Sequence, residues 1–118
     1  MTHNFRKLKI WEEGMLLVQS SYGITRTFPK FERYGLSSQM NRCAVSIPSN
    51  IAEGSSKSTD KHFSQFLESS LGSAFEWETQ LIIAYQAGYV KKDSFKDFEI
   101  KIQRLQKMIS RFRRSLNN

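Results

Sequence analysis

The chain has 118 residues, of which 39% are hydrophobic and 25% are charged, and its formal net charge at neutral pH is +7. This composition is typical of a globular protein and excludes a disordered chain, while the length fits one domain, residues 1–118. No apolar run is long enough to span a membrane, no signal peptide is apparent, and a single cysteine permits no internal disulfide, so we expect a cytoplasmic protein.

The first predicted helix covers residues 4–27 and carries two apolar lines. One line follows a spacing of three and four that places its members on one face of a helix. It consists of Phe5, Leu8, Trp11, Met15, Val18, Tyr22 and Thr25. The second line is Ile10, Leu17 and Ile24, seven residues apart. Because a bundle helix needs only one buried face, the second line indicates either a wide core face or an oligomer interface, and we favour the interface.

The second helix is predicted over residues 36–53, after an aromatic connection that runs from Phe28 to Gly35. The residue before Pro29 is disfavoured in a helix, so the first helix should end there, and the aromatic connection is expected to cap one end of the core. Pro48 lies inside the second helix, where it removes one backbone hydrogen bond and should bend the helix.

The third and fourth helices are predicted over residues 59–87 and 93–116. Small residues at positions 69–74 indicate that a neighbouring helix approaches the third helix closely. The fourth helix has the clearest pattern, a strict alternation of three and four. Its members are Phe95, Phe98, Ile102, Leu105, Ile109, Phe112 and Leu116. Four such helices with short connections predict an all-α, antiparallel up-down-up-down four-helix bundle.

Residue patterns that would identify an enzyme or a metal protein are missing from the sequence. We find no Glu-x-x-His motif, no histidine pair at helical spacing and no glycine-rich phosphate loop. Cys43 falls on or beside the apolar stripe of the second helix, where we interpret it as a small core residue. We therefore predict no enzymatic activity, no metal and no cofactor.

A polar face on the second helix carries short hydrogen-bonding side chains where soluble helices usually carry Lys and Glu. Its members are Gln39, Arg42, Ser46, Ser49 or Asn50, and Glu53. On the third helix, Glu78 falls within the apolar stripe, and a buried carboxylate needs a cation or several donors. We predict that Arg42 pairs with Glu78 and so links this polar face to the third helix, with Glu76 as the reserve carboxylate.

Most of the positive charge lies at the end of the chain. Residues 91–118 contain nine Lys or Arg against three Asp or Glu, whereas residues 1–36 carry a net +3 and residues 37–90 a net −2. The cations of the fourth helix predict contact with a nucleic-acid backbone. They are Lys101, Arg104, Lys107, Arg111, Arg113 and Arg114. A solvated helix end stabilised by the helix dipole would carry similar charges, so that interpretation stays open.

Two strings resemble the 23S rRNA intervening-sequence proteins, also called the S23 family. They are Phe28-Pro29-x-x-Glu32-x-Tyr34-Gly35-Leu36-x-x-Gln39 and Ser46-Ile47-Pro48-Ser49-Asn50-Ile51-Ala52-Glu53-Gly54. The similarity continues through Glu76-x-Glu78-Thr79-Gln80-Leu81 and Gly88-Tyr89. The resemblance implies a four-helix bundle that forms a homopentamer and has no established enzymatic activity. The family's basic-basic-Ala-Ala run is here Asn41-Arg42-Cys43-Ala44, so one of the two cations is missing. If the paired cations bind a phosphate, Arg42 alone would carry that role.

Two functional hypotheses follow. The first is a basic homo-oligomeric bundle that binds RNA or DNA non-specifically or scaffolds a nucleic-acid-processing partner. By analogy of fold, it is favoured by a distant bundle relative, the accessory variability protein of diversity-generating retroelements, which binds nucleic acid. The alternative is a protein–protein adaptor that docks a partner on the polar face of the second helix and has no role with nucleic acid.

Overall fold

The computed structural model describes residues 3–116, which form four α-helices and two short 3-10 turns, without a strand in that range. The helices are α1 (Lys9–Thr25), α2 (Leu36–Ser55), α3 (Asp60–Gln86) and α4 (Lys92–Leu116). The predicted all-α four-helix fold is confirmed. Within the same range, no helix combines the length and the apolar character that a membrane span requires.

The segment predicted as one helix over residues 4–27 is divided in two. Asn4 accepts a hydrogen bond from the Arg6 backbone N–H at 3.2 Å and caps a 3-10 turn at Phe5–Lys7. Leu8 then adopts an extended backbone conformation, so that α1 begins only at its next residue. The division arises because the Asn4 side chain satisfies the local backbone before a full helical turn has formed.

Hydrogen bonds between helices show that neighbouring helices run antiparallel. Ser70 Oγ donates to the Ile47 carbonyl at 2.9 Å, and Cys43 Sγ donates to the Ser73 carbonyl at 3.0 Å. Later residues of α3 thus meet earlier residues of α2. The same inverse order relates α1 to α2 and α3 to α4, through the pairs Ser21 with Asn41, Gly14 with Pro48, Ser64 with Arg113, and Glu78 with Gln103.

The apolar face of α4 lies against the other helices, as its alternation predicts. Ile102, Leu105 and Ile109 are buried in the core. The remaining members of the stripe are partly buried and pack against the same core. Because α4 has a single apolar face with regular spacing, it can bury its apolar area in only one orientation. This is why the sequence pattern predicts the buried face of α4 correctly.

The predicted oligomer interface on α1 is wrong. Ile10, Leu17 and Ile24 are only 4%, 4% and 6% exposed in the single chain, because they belong to its own core. They are therefore not available to a second copy. Met15 and Tyr22, from the line that the sequence placed in the core, are exposed instead.

The position of Gly14 explains why the line that contains Leu17, and not the line that contains Met15, faces the core. The residue faces Pro48 of α2, and a Cβ atom at position 14 would lie 3.3 Å from the proline Cβ. A side chain there would make an unusually tight contact, so glycine favours the close approach of α1 to the proline ring. The buried face of α1 consequently centres on the line that includes Leu17, which is the wide-core alternative.

The small middle of α3 provides a close approach, but not at its glycine. Gly72 is exposed, and a Cβ atom there would meet nothing within 4 Å. Ser70 and Ala74 are fully buried, and it is the Ser70 hydroxyl that reaches the α2 backbone. The close approach of α2 and α3 therefore depends on Ser70 and Ala74, which lie one helical turn apart on the inner face of α3.

Candidate nucleic-acid interface

Two of the predicted nucleic-acid contacts on α4 are instead engaged in ion pairs with other helices. Arg104 lies 2.9 Å from Glu13 of α1. Arg113 pairs with Glu68 of α3 and also donates to Ser64 Oγ at 3.1 Å. These two arginines hold α4 against its neighbours, so their charge is partly neutralised within the protein.

Three other cations of α4 form a row on its exposed side. Lys107, Arg111 and Arg114, here called the basic row, line an open cleft of about 500 Å³ together with Gln103 and Ser110. Within residues 3–116, no carboxylate lies within 4.0 Å of any of these three side chains. One carboxylate, Glu78, also lines this cleft, but its oxygens accept hydrogen bonds from Gln103 and Gln106. The basic row thus presents three cations to solvent in a cleft that one carboxylate borders.

Lys101 occupies a different environment from the basic row. Its ammonium lies 5.5 Å from the centre of the Phe98 ring, in a cation–π arrangement. It borders a second cleft, between α1 and α4, that also contains Arg104 and Glu13. The six predicted contacts are therefore not one surface but three groups.

The predicted bridge between Arg42 and Glu78 is wrong. Glu78 accepts hydrogen bonds from Gln103 Nε2 at 3.0 Å and from Gln106 Nε2 at 2.8 Å, both on α4. Arg42 donates to Ser38 Oγ at 3.4 Å, within its own helix. In the described part of the chain, α2 and α4 each pack on α3 and not on each other, so Glu78 is turned away from α2.

The polar face of α2 is largely satisfied by its own backbone. Ser46 Oγ donates to the Cys43 carbonyl at 2.7 Å, and Asn50 Nδ2 donates to the Ser46 carbonyl at 2.8 Å. Glu53 and Gln39 are exposed. The reserve carboxylate Glu76, rather than Glu78, shares a cleft of about 450 Å³ with Gln39, Arg42 and Ser46. Docking of a partner protein on this face stays a prediction.

Cys43 has the properties of a core residue, as predicted. Its side chain is buried, and its thiol donates to the Ser73 carbonyl. Burial, with a smaller contribution from the nearby Glu76 carboxylate, raises the pKa of the Cys43 thiol to about 12. The thiol is therefore neutral at physiological pH, which makes it a poor nucleophile and a poor metal ligand.

A buried polar network that the sequence did not reveal joins three helices. The Trp77 indole N–H donates to Ser21 Oγ at 3.0 Å, and Ser21 Oγ donates to Asn41 Oδ1 at 2.9 Å. Asn41 Nδ2 in turn donates to Thr25 Oγ1 at 3.0 Å. Asn41, at a position where the family resemblance implies a cation, thus joins α2 to α1, and Ser21 continues the network to α3.

The aromatic connection between α1 and α2 does not cap the core as a unit. Phe28 is buried, but Phe31 and Tyr34 are 78% and 85% exposed. Glu32 anchors the connection by accepting hydrogen bonds from the Tyr89 hydroxyl at 2.9 Å and from the Leu36 backbone N–H at 3.1 Å. This hydrogen bond to the carboxylate raises the pKa of Tyr89.

The described residues contain no group of three His, Cys, Asp or Glu side chains that could hold a metal ion. The chemical feature that this surface does show is the basic row of α4. It suits binding of anions by electrostatic attraction and hydrogen bonding.

Comparisons with known proteins agree with this architecture. Residues 6–111 match the family model described as 23S rRNA-intervening sequence protein. The chain is also similar to a crystal structure of a protein of unknown function from the S23 ribosomal protein family of Bacteroides thetaiotaomicron. The two are 17% identical with a TM-score of 0.78, over 85% of this chain and 94% of the other, and at this identity the likeness shows the fold alone. No curated protein matches. Because the family model covers most of the sequence, the chain belongs to the 23S rRNA-intervening sequence protein family.

Proposed function

We propose that this protein is a non-enzymatic nucleic-acid-binding protein that contacts the phosphate backbone through the basic row of α4. The observation that supports the proposal is the grouping of Lys107, Arg111 and Arg114 in one open cleft. Glu78 is the one carboxylate that lines it, and within residues 3–116 no carboxylate lies within 4.0 Å of the three cations. Cations of this kind bind phosphates and release the counterions that surround a nucleic acid.

The same surface favours binding without sequence preference. The basic row lies on α4, in an open cleft that α4 forms with α3, and its charged groups suit phosphates, which carry no sequence information. Gln103 and Ser110 border the cleft, but Gln103 already donates to Glu78. Backbone contacts therefore dominate, and affinity depends on salt more than on sequence.

Removal of the basic row is expected to weaken nucleic-acid binding about tenfold or more. The variant replaces Lys107, Arg111 and Arg114 by glutamine, and fluorescence anisotropy with a labelled 20-nucleotide RNA measures the dissociation constant. Each lost phosphate contact lowers the affinity. It also reduces the slope of the logarithm of the binding constant against the logarithm of the salt concentration by about one unit or slightly less.

A control variant with the same net charge distinguishes binding by the basic row from non-specific electrostatic attraction to the whole protein. Lys61, Lys91 and Lys92 are exposed cations outside the row, and their replacement by glutamine removes the same three charges. We expect this control to retain the wild-type dissociation constant within about threefold. Equal losses in the two variants would show that net charge, and not the basic row, is responsible.

We also propose that the protein is a homo-oligomer, with the pentamer that the family resemblance implies. The outer face of α3 supports this proposal, because it exposes Phe75 and Ile83 by 52% and 47%, with Ile82 partly exposed beside them. Phe75 also lines the cleft of the basic row, so this interface borders the nucleic-acid cleft. These residues lie seven or eight positions apart on one side of a helix, and an exposed apolar stripe of this kind is typical of an interface.

Light scattering on the purified protein tests the assembly. We expect the wild type to have five times the mass of one chain and the double variant Phe75→Glu, Ile83→Glu to have a smaller mass. Both side chains are half exposed, so a folded variant is expected, and circular dichroism checks its helix content. A monomeric wild type would contradict the proposal.

A further inference from the structure

A second cationic cleft lies between the end of α1 and the beginning of α2. It has a volume of about 630 Å³, which is in the range of sites that hold small molecules or single nucleotides. Its walls are formed by residues 22–45, so it is separate from the basic row of α4. Here it is called the α1–α2 cleft.

Four cations line the α1–α2 cleft, and no Asp or Glu lines it. The cations are Arg26, Lys30, Arg33 and Arg42. Within residues 3–116, none of them has a carboxylate within 4.0 Å. The nearby Glu32 does not line the cleft, and its two oxygens already accept hydrogen bonds from Tyr89 and Leu36. The concave surface therefore concentrates positive potential.

Hydrogen-bond donors other than the cations also reach the α1–α2 cleft. Ser37 and Ser38 belong to the first turn of α2, where backbone N–H groups have no acceptor within the helix. Both residues line the cleft beside Arg42, whose guanidinium contacts the Ser38 hydroxyl. These donors suit the oxygens of a phosphate.

Two exposed tyrosine rings line this cleft, whereas the cleft of the basic row has one half-exposed aromatic ring, Phe75. Tyr34 is 85% exposed and lines the cleft, with the Arg33 guanidinium 5.3 Å from its ring centre. Tyr22 is 38% exposed on the opposite helix and also lines the cleft. A large ring left in solvent beside cations suits stacking with a nucleobase, whose attached phosphate the cations bind.

We propose that the α1–α2 cleft binds an unpaired nucleotide within a single-stranded nucleic acid, with the base stacked on Tyr34 and the phosphate held by Arg33 and Arg42. This inference rests on the proposed function, and it adds a preference for single strands. In a duplex, the base faces are stacked on each other and are not available to Tyr34. The basic row serves single strands and duplexes alike, whereas the α1–α2 cleft serves single strands alone.

The test compares two fluorescein-labelled probes, a ten-nucleotide oligo(dT) and a 20-base-pair duplex, by anisotropy in 50 mM KCl. We expect Tyr34→Ala to weaken binding of the oligo(dT) about tenfold and to leave duplex binding within about twofold. Tyr34→Phe keeps the ring and should bind like the wild type. Phe31→Ala is the matched control, since Phe31 is 78% exposed but does not line the cleft.

The outcomes separate this inference from the proposed function. If the wild type binds both probes and Tyr34→Ala binds oligo(dT) unchanged, the stacking site is overturned while the proposed function stands. An equal loss for strand and duplex, or competition by a phosphopeptide and not by unlabelled oligo(dT), also overturns it. If the wild type binds neither probe, both proposals fail.

Discussion

Replacement of Trp77 by alanine is expected to lower the free energy of unfolding by about 3–5 kcal/mol. The Trp77 side chain is fully buried, and its ring lies 6.4 Å from that of Phe98 on α4. Its indole N–H also donates to Ser21 at the start of the polar network that joins α1, α2 and α3. Alanine would leave a cavity. It would also remove the hydrogen bond that the buried Ser21 hydroxyl accepts from the indole N–H.

Urea denaturation followed by circular dichroism measures the effect. Trp77→Phe keeps much of the ring volume but loses the indole N–H. We therefore expect its free energy of unfolding to lie between that of the wild type and that of Trp77→Ala. Ser21→Ala removes the same hydrogen bond from the other side and leaves the ring in place. If Trp77→Ala is within about 1 kcal/mol of the wild type, Trp77 does not hold the three helices together as described.

The same substitution at two helical glycines is expected to have opposite effects. A Cβ atom at Gly54 would lie 2.7 Å from Phe66 Cβ and 2.8 Å from Phe63 Cδ1, so Gly54→Ala forces α2 and α3 apart. Overpacking of this kind costs about 1–3 kcal/mol. Gly72→Ala meets no atom within 4 Å and should stabilise α3 by about 0.5–1 kcal/mol, since alanine favours the helix.

Thermal or urea unfolding of the two single variants gives the comparison directly. Each variant is a control for the other, because both change glycine to alanine inside a long helix. Destabilisation by both variants would mean that the exposed face of α3 at Gly72 is covered. A neutral Gly54→Ala would mean that α2 and α3 are further apart near Phe63 than the structure places them.

The fold could be predicted from the sequence where a helix has only one apolar face. In α4, seven apolar residues at regular spacing leave no other orientation. In α1, two apolar lines compete, and the choice between them depends on the contact of Gly14 with Pro48. That contact joins residues 34 positions apart in sequence, so periodicity within α1 alone does not reveal it.

The sequence predicts which residue types form the candidate site, but it does not predict which carboxylates its cations pair with. Helical spacing correctly placed the cations of α4 outside the core, yet Arg104 and Arg113 pair with carboxylates on α1 and α3. A helical wheel likewise placed Glu78 near the core but did not tell which helix it faces. Side-chain partners depend on tertiary packing, which no local pattern contains.

The sequence does not reveal the α1–α2 cleft, because an aromatic connection between two helices favours the interpretation that its rings cap the core. A short 3-10 turn at Lys30–Glu32 turns Phe31 and Tyr34 outward while Phe28 stays buried. The available signal in the sequence was the alternation of these aromatics with Lys30 and Arg33, since a segment that only caps a core needs no cations.

The salt dependence of wild-type binding to a labelled single-stranded RNA tests nucleic-acid binding most directly. Anisotropy titrations between 50 and 200 mM KCl give the slope of the logarithm of the binding constant against the logarithm of salt concentration. Three phosphate contacts from the basic row predict a slope of about −2 or steeper for a single strand. Absence of binding at 50 mM KCl, or binding that does not change with salt, would contradict the proposed function.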